Sequence, residues 1–165
     1  MAQGKAERRT GRVRQARLIE GPPLPAGVPE ELDRMAGRAL DAKWFLGHAI
    51  AALRAGDSAA ALEHGARAKD CALRSPTVRE TLGLAAYASG DFKQSLGELQ
   101  AFRRMTGARI HDARIADCYR GTGRPMRAVE FLDQNQASDA DAARVRAGAL
   151  ADAGDEAGAR AALQM

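Results

Sequence analysis

A glycine followed by a polar residue recurs along this chain at a nearly constant interval. Gly56-Asp57, Gly90-Asp91, Gly123-Arg124 and Gly154-Asp155 stand 34, 33 and 31 residues apart. A period of this length marks helical hairpins stacked one on the next, since a single hairpin cannot bury its apolar face alone. The expected fold is therefore all-α, an antiparallel helical-hairpin solenoid of about nine helices. Composition agrees with it. Aromatic residues make up only 4% of the chain, against 37 alanines. Alanine is the best helix former and lets helix axes approach closely, whereas a β-sandwich needs more β-branched and aromatic residues.

The recurrence also sets a register. With each glycine at position 15 of a 34-residue unit, position 8 falls on Ala49, Gly83, Ala116 and Ala147. Position 20 falls on Ala61, Ser95, Ala128 and Ala159. These are the places where two antiparallel helices cross, and all eight residues are small, as a close crossing requires. Each glycine is expected to end a helix in the left-handed conformation, and each aspartate to cap the next. Asp91 with Gln94 forms a capping box. In the third unit Arg124 stands in for the aspartate, and Pro125 supplies a pre-organised first helical position.

The organisation expected from these signals is a basic, Pro-rich flexible tail and spacer over 1–28, then one repeat domain over 29–165. A capping helix at 29–40 carries Leu32, Met35, Ala36 and Ala39 on one stripe. Repeats follow at about 42–75, 76–108, 109–137 and 139–165. Four of the six prolines lie in the run from Pro22 to Pro29, which reads as a stiff spacer. The net charge of +4 belongs entirely to the first 20 residues, because residues 21–165 hold 19 basic and 19 acidic side chains. Those first residues lack a sustained apolar period, so disorder is the expectation there. They also lack the apolar stretch of a secretion signal.

Catalytic and metal chemistry finds little support. There is no phosphate-binding loop, dinucleotide fingerprint or zinc-hydrolase motif, and the chain reads as a non-enzyme. His48, His64 and His111 are taken to fall in different units, at helix surfaces. The pairs His64/Cys71 and His111/Cys118 share a seven-residue offset. On a helix that offset is about 10.5 Å of rise, too long for one zinc. The cysteines therefore read as small packing residues. Two cysteines without a disulfide framework point to a reducing cytoplasm. No cofactor and no metal site is expected, and no apolar run is long enough to span a bilayer.

The run from Gly83 to Leu99, with its Gly90-Asp91 turn, resembles a tetratricopeptide unit. The longer stretch from Val78-Arg79-Glu80 through Arg103-Arg104-Met105-Thr106-Gly107 to Ala116-Asp117-Cys118 and Gly123-Arg124-Pro125 is similar to a narrower group. These are tetratricopeptide proteins of high-GC actinobacteria that carry an arginine-rich N-terminal extension. The resemblance covers roughly residues 24–165 and implies a fold without a defined activity.

The resemblance also implies a binding face. In tetratricopeptide stacks the first helix of each unit lines a groove, mainly through positions 2, 5, 9 and 12. Here these are Lys43, Leu46, Ile50 and Leu53, then Thr77, Glu80, Leu84 and Tyr87, then Ile110, Ala113, Asp117 and Arg120. Such a surface suits a peptide or helix with apolar anchors and one or two charges. A capping helix at 29–40 would cover Leu46, Ile50 and Leu53. The partner-binding residues expected are thus Glu80, Leu84, Tyr87, Asp117 and Arg120, in a protein-protein interaction adaptor. Two other readings stay open. Lys5, Arg8, Arg9, Arg12, Arg14 and Arg17 could hold RNA through phosphates, sequence-tolerantly because no aromatic residue is interleaved. Arg103, Arg104, Arg109 and Arg114 could extend that basic surface, although the acids around them favour a mixed face. Alternatively, the last helix, ending Ala161-Ala162-Leu163-Gln164-Met165, could pair with a second copy.

Overall fold

The computed structural model describes residues 21–164, which contain nine α-helices and no strand. In chain order they are α1 (Val28–Met35), α2 (Ala39–Arg54), α3 (Ser58–Cys71), α4 (Pro76–Ala88), α5 (Phe92–Thr106), α6 (Asp112–Gly121), α7 (Pro125–Gln134), α8 (Ala140–Asp152) and α9 (Glu156–Ala162). The all-α expectation holds. The chain divides into two compact units, one ending at Ala85 and the other beginning at Ala86, within α4.

The recurring turn behaves as its chemistry requires. Gly56, Gly90, Gly123 and Gly154 all have φ between 75° and 85°, a region closed to most other residues. Asp57, Asp91 and Asp155 then accept hydrogen bonds from the backbone N–H of Ala60, Gln94 and Gly158 at 3.0, 2.9 and 2.8 Å. Asp139 does the same for Ala142 at the start of α8. Arg124 provides no side-chain cap, and Pro125 begins α7. Its guanidinium instead lies over the Tyr119 ring, 5.1 Å from the centroid, and bonds Thr122. All eight residues at the two crossing positions are buried.

In the first unit, α2 and α3 form a hairpin that α1 and the start of α4 cover. The core joins Val28 and Leu32 to Ala42 and Leu46, Ala68, Cys71 and Ala72, and Val78. Leu24, Ala36, Phe45 and Ile50 pack around it. Leu46 thus shares its core with Val28 and Leu32 of α1, and Ile50 stays half-buried at its edge. Glu31 ties α1 to the start of α4: it accepts from the hydroxyls of Ser75 and Thr77 and from the Thr77 N–H. Lys43 is bound to Asp33 at 2.7 Å.

Two expectations for this region are corrected. The helix stops at Met35, because Ala36 turns to extended backbone, and α2 begins already at Ala39. Met35 consequently sits 45% exposed instead of on the packed stripe. The proline run is also more than a spacer. A Cβ on Gly47 would lie 2.5 Å from the Pro22 carbonyl oxygen, and one on Gly21 would lie 3.2 Å from the Trp44 ring. Backbone at Gly21 and Pro22 thus lies directly on α2, and Gly47 is what allows it.

The second unit comprises the end of α4 and α5 to α9, helices adjacent in sequence packing on one another. Leu99, Phe102, Ile115, Cys118, Tyr119, Phe131 and Leu132 are its larger buried side chains. A Cβ on Gly121 would fall 2.3 Å from the Phe92 ring, so α6 passes the start of α5 at backbone distance. Arg103 links three helices: its Nε donates to Asp112 at 2.7 Å, its Nη2 donates to Asn135, and its guanidinium lies over Phe131. Arg109 pairs with the same buried Asp112 at 3.0 Å. Arg103 and Arg109 thereby share one carboxylate, which leaves the trio one net positive charge with both guanidiniums engaged within the fold.

Candidate functional site

On α6, Ala113, Asp117 and Arg120 are four and three residues apart, a spacing that puts them on one helical face. Tyr87 reaches that face from the end of α4, its Oη donating to Asp117 Oδ2 at 2.6 Å. Arg120 Nε donates to the other carboxylate oxygen at 2.8 Å. Its Nη1 donates onward to Asp152 on α8 at 3.2 Å. On the way the guanidinium passes Gly148, where a Cβ would sit 3.4 Å from Nη1. The result is a four-residue polar chain across three helices. Asp117, its hub, is only 13% exposed, while Arg120 is 36% exposed.

The electrostatics follow from this geometry. The hydrogen bond to Asp117 raises the Arg120 pKa, opposed by partial burial. The Tyr87 phenol is pushed up to about 12, first by burial and then by the hydrogen bond it donates to Asp117. A raised phenol pKa means the folded chain holds that proton more tightly than the unfolded one. The associated stability is therefore complete below the ordinary tyrosine value of 10 and is lost as pH rises through about 12. In a Tyr119→Phe background, which leaves Tyr87 as the single tyrosine, tyrosinate absorbance should show this late ionisation. Asp117→Asn should lower the midpoint only part of the way, because burial remains. A full return to the ordinary value would refute burial as the main cause.

Beside the polar chain lies a pocket of about 240 Å³, lined by Tyr87, Ala113, Arg114, Asp141, Arg144 and Val145. Three helix segments frame it: the end of α4 and the first halves of α6 and α8. Its wall mixes apolar surface with charge, and Arg144 pairs with Asp141 one turn before it.

The residues expected to bind a partner are only partly brought together. Tyr87, Asp117 and Arg120 meet. Glu80 and Leu84 are partly buried on α4 within the first unit, and nothing places them at this site. Thr77 and Lys43 are engaged by Glu31 and Asp33. Ile110 is 67% exposed, outside α6. Lys5, Arg8, Arg9, Arg12, Arg14 and Arg17 lie outside the described residues. Asp152, at position 13 of the fourth unit, falls off the groove positions, whereas Asp141 and Arg144 lie on the continuation of the register. Applied to the fourth, it puts Asp141 at position 2, Arg144 at position 5 and Gly148 at position 9. Arg114 lies one residue off that register, so periodicity alone does not reach it.

The histidines depart from expectation. His48 and His64 belong to the same α2–α3 hairpin, their ring centroids 5.2 Å apart, with Trp44 4.0 Å from His48. His64 Nδ1 is buried without a hydrogen-bond partner among the described residues, and His111 is buried against Phe102. His64 and His111 face rings of a neighbouring helix, Phe45 and Phe102, while His48 lies on Trp44 one turn before it. Cys71 and Cys118 are buried thiols. Burial pushes the Cys118 thiol up to about 11, where it is poorly suited to act as a nucleophile at neutral pH. Among the described residues no group of three or more His, Cys, Asp or Glu side chains is placed to hold a metal ion. No described helix is long and apolar enough to cross a membrane. No protein-family model matches this sequence, and no curated protein matches it either.

Proposed function

We propose that this chain is a non-enzymatic interaction adaptor of the tetratricopeptide-like kind, its hairpins stacked as a solenoid, which holds a peptide or helix of a protein partner against α6 and α8. The observation that carries this reading is the pocket beside Tyr87, together with the polar chain that holds its walls. At about 240 Å³ it falls below the roughly 300 Å³ at which small-molecule sites begin. It accommodates one or two side chains of a larger ligand better than a cofactor. Preorganised walls favour such capture, because side chains already held by hydrogen bonds lose little freedom when the ligand arrives. Buried thiols at Cys71 and Cys118 support a reducing compartment such as the cytoplasm.

The test is selection of binders from a phage-displayed library of random dodecapeptides against the full chain. Binders should lose about tenfold in affinity or more on Tyr87→Ala. Leu73→Ala, at an exposed apolar residue of the first unit, should leave them unchanged. Binders equally weakened by both substitutions, or by neither, would remove the pocket as the binding site.

A further inference from the structure

The charges around the pocket are not all compensated. Asp117 is shared between Tyr87 and Arg120, and Asp141 pairs with Arg144. Arg114 is different. Its single polar contact among the described residues is with the Nδ1 of His111, at 3.4 Å, and no carboxylate reaches it. A guanidinium stays protonated at any ordinary pH, so the pocket wall keeps a positive charge that no carboxylate of the described residues pairs with, Asp141 being paired with Arg144. Apolar surface from Ala113 and Val145 and the ring of Tyr87 stand around that charge.

We infer that the pocket takes an acidic side chain, Asp or Glu, of the partner peptide, its carboxylate pairing with Arg114 while its methylenes or an adjacent aliphatic residue rest on Ala113 and Val145. The inference rests on the peptide-capture reading above and specifies its ligand. Charge complementarity selects the carboxylate. A basic side chain would meet Arg114 and Arg144 with only Asp141 to answer them, and an uncharged one would leave Arg114 unanswered. The planar fork of the guanidinium suits a carboxylate geometrically, since two parallel N–H donors match two oxygens. Arg114 is exposed before binding, so the gain is moderate and most of it should be sensitive to salt.

The experiment uses the selected dodecapeptides and the full chain. The binders should carry an acidic residue whose replacement by its amide weakens binding about five- to tenfold at low salt. That penalty should disappear in Arg114→Gln. It should persist in Arg104→Gln, which removes an exposed arginine outside the pocket lining. Arg114 is exposed, so its truncation should leave far-ultraviolet circular dichroism unchanged. If acid and amide peptides bind alike, or if Arg104→Gln weakens binding as much as Arg114→Gln, the acidic-ligand inference fails while peptide capture stands. If the library gives no binder, both fail together.

Discussion

Replacing Leu32 by alanine is expected to destabilise the chain by about 3 kcal/mol, in the middle of the range for large-to-small core substitutions. Leu32 is fully buried, with Val28, Leu46 and Val78 among its cluster. It belongs to a helix of eight residues, too short to persist alone in water. The helix is held by this side chain, by Val28, by the bonds from Glu31 to Ser75 and Thr77, and by the pairing of Asp33 with Lys43. Removing the largest apolar anchor leaves a cavity and loosens those polar ties with it. Urea unfolding should show a lower midpoint with little change in slope. Amide exchange should quicken first in α1. A loss below about 1 kcal/mol would mean that α1 is not part of the core.

Reversing the charge at Arg120 should produce the second large effect. Arg120→Glu would place a third carboxylate beside Asp117 and Asp152, both of which now accept hydrogen bonds from this guanidinium. The hub carboxylate of Asp117 would keep only the bond from Tyr87, in a partly desolvated position. We expect a stability loss of about 2 kcal/mol at low salt, discounted for the exposure of Arg120, with part of it recovered at high salt. Arg120→Gln should lose clearly less, because it removes the attraction without adding repulsion. Binding of the selected peptides should fall in the Glu variant as well, since Tyr87 loses a fixed partner. Equal stability of the Gln and Glu variants would show that the polar chain does not depend on charge.

The features legible in the amino-acid order are those whose causes are local. A left-handed backbone needs glycine, and a new helix start benefits from an acceptor at its N-cap. Gly56-Asp57, Gly90-Asp91 and Gly154-Asp155 therefore announce their turns from neighbouring residues alone. Small residues at Ala49, Gly83, Ala116 and Ala147 likewise announce helix crossings. Half of the candidate site was equally within reach, because Tyr87, Asp117 and Arg120 fall on the repeat register. Asp141 and Arg144 fall on its continuation into the fourth unit.

The rest depends on what a side chain meets from far along the chain. No local pattern says that Pro22 will lie on Gly47, that Glu31 will bond the start of α4, or that His48 and His64 will stack beside Trp44. That Arg114 pairs with no carboxylate of the described residues is of the same kind. Four arginines near the boundary of the second and third repeats look alike in the sequence. Packing brings a buried Asp112 to Arg103 and Arg109, and none to Arg114. Periodicity thus specified the helices, the turns between them and the residues at their crossings, because backbone conformation answers to near neighbours. Which charges remain available to a partner was decided by tertiary packing, because neutralisation depends on distance in space.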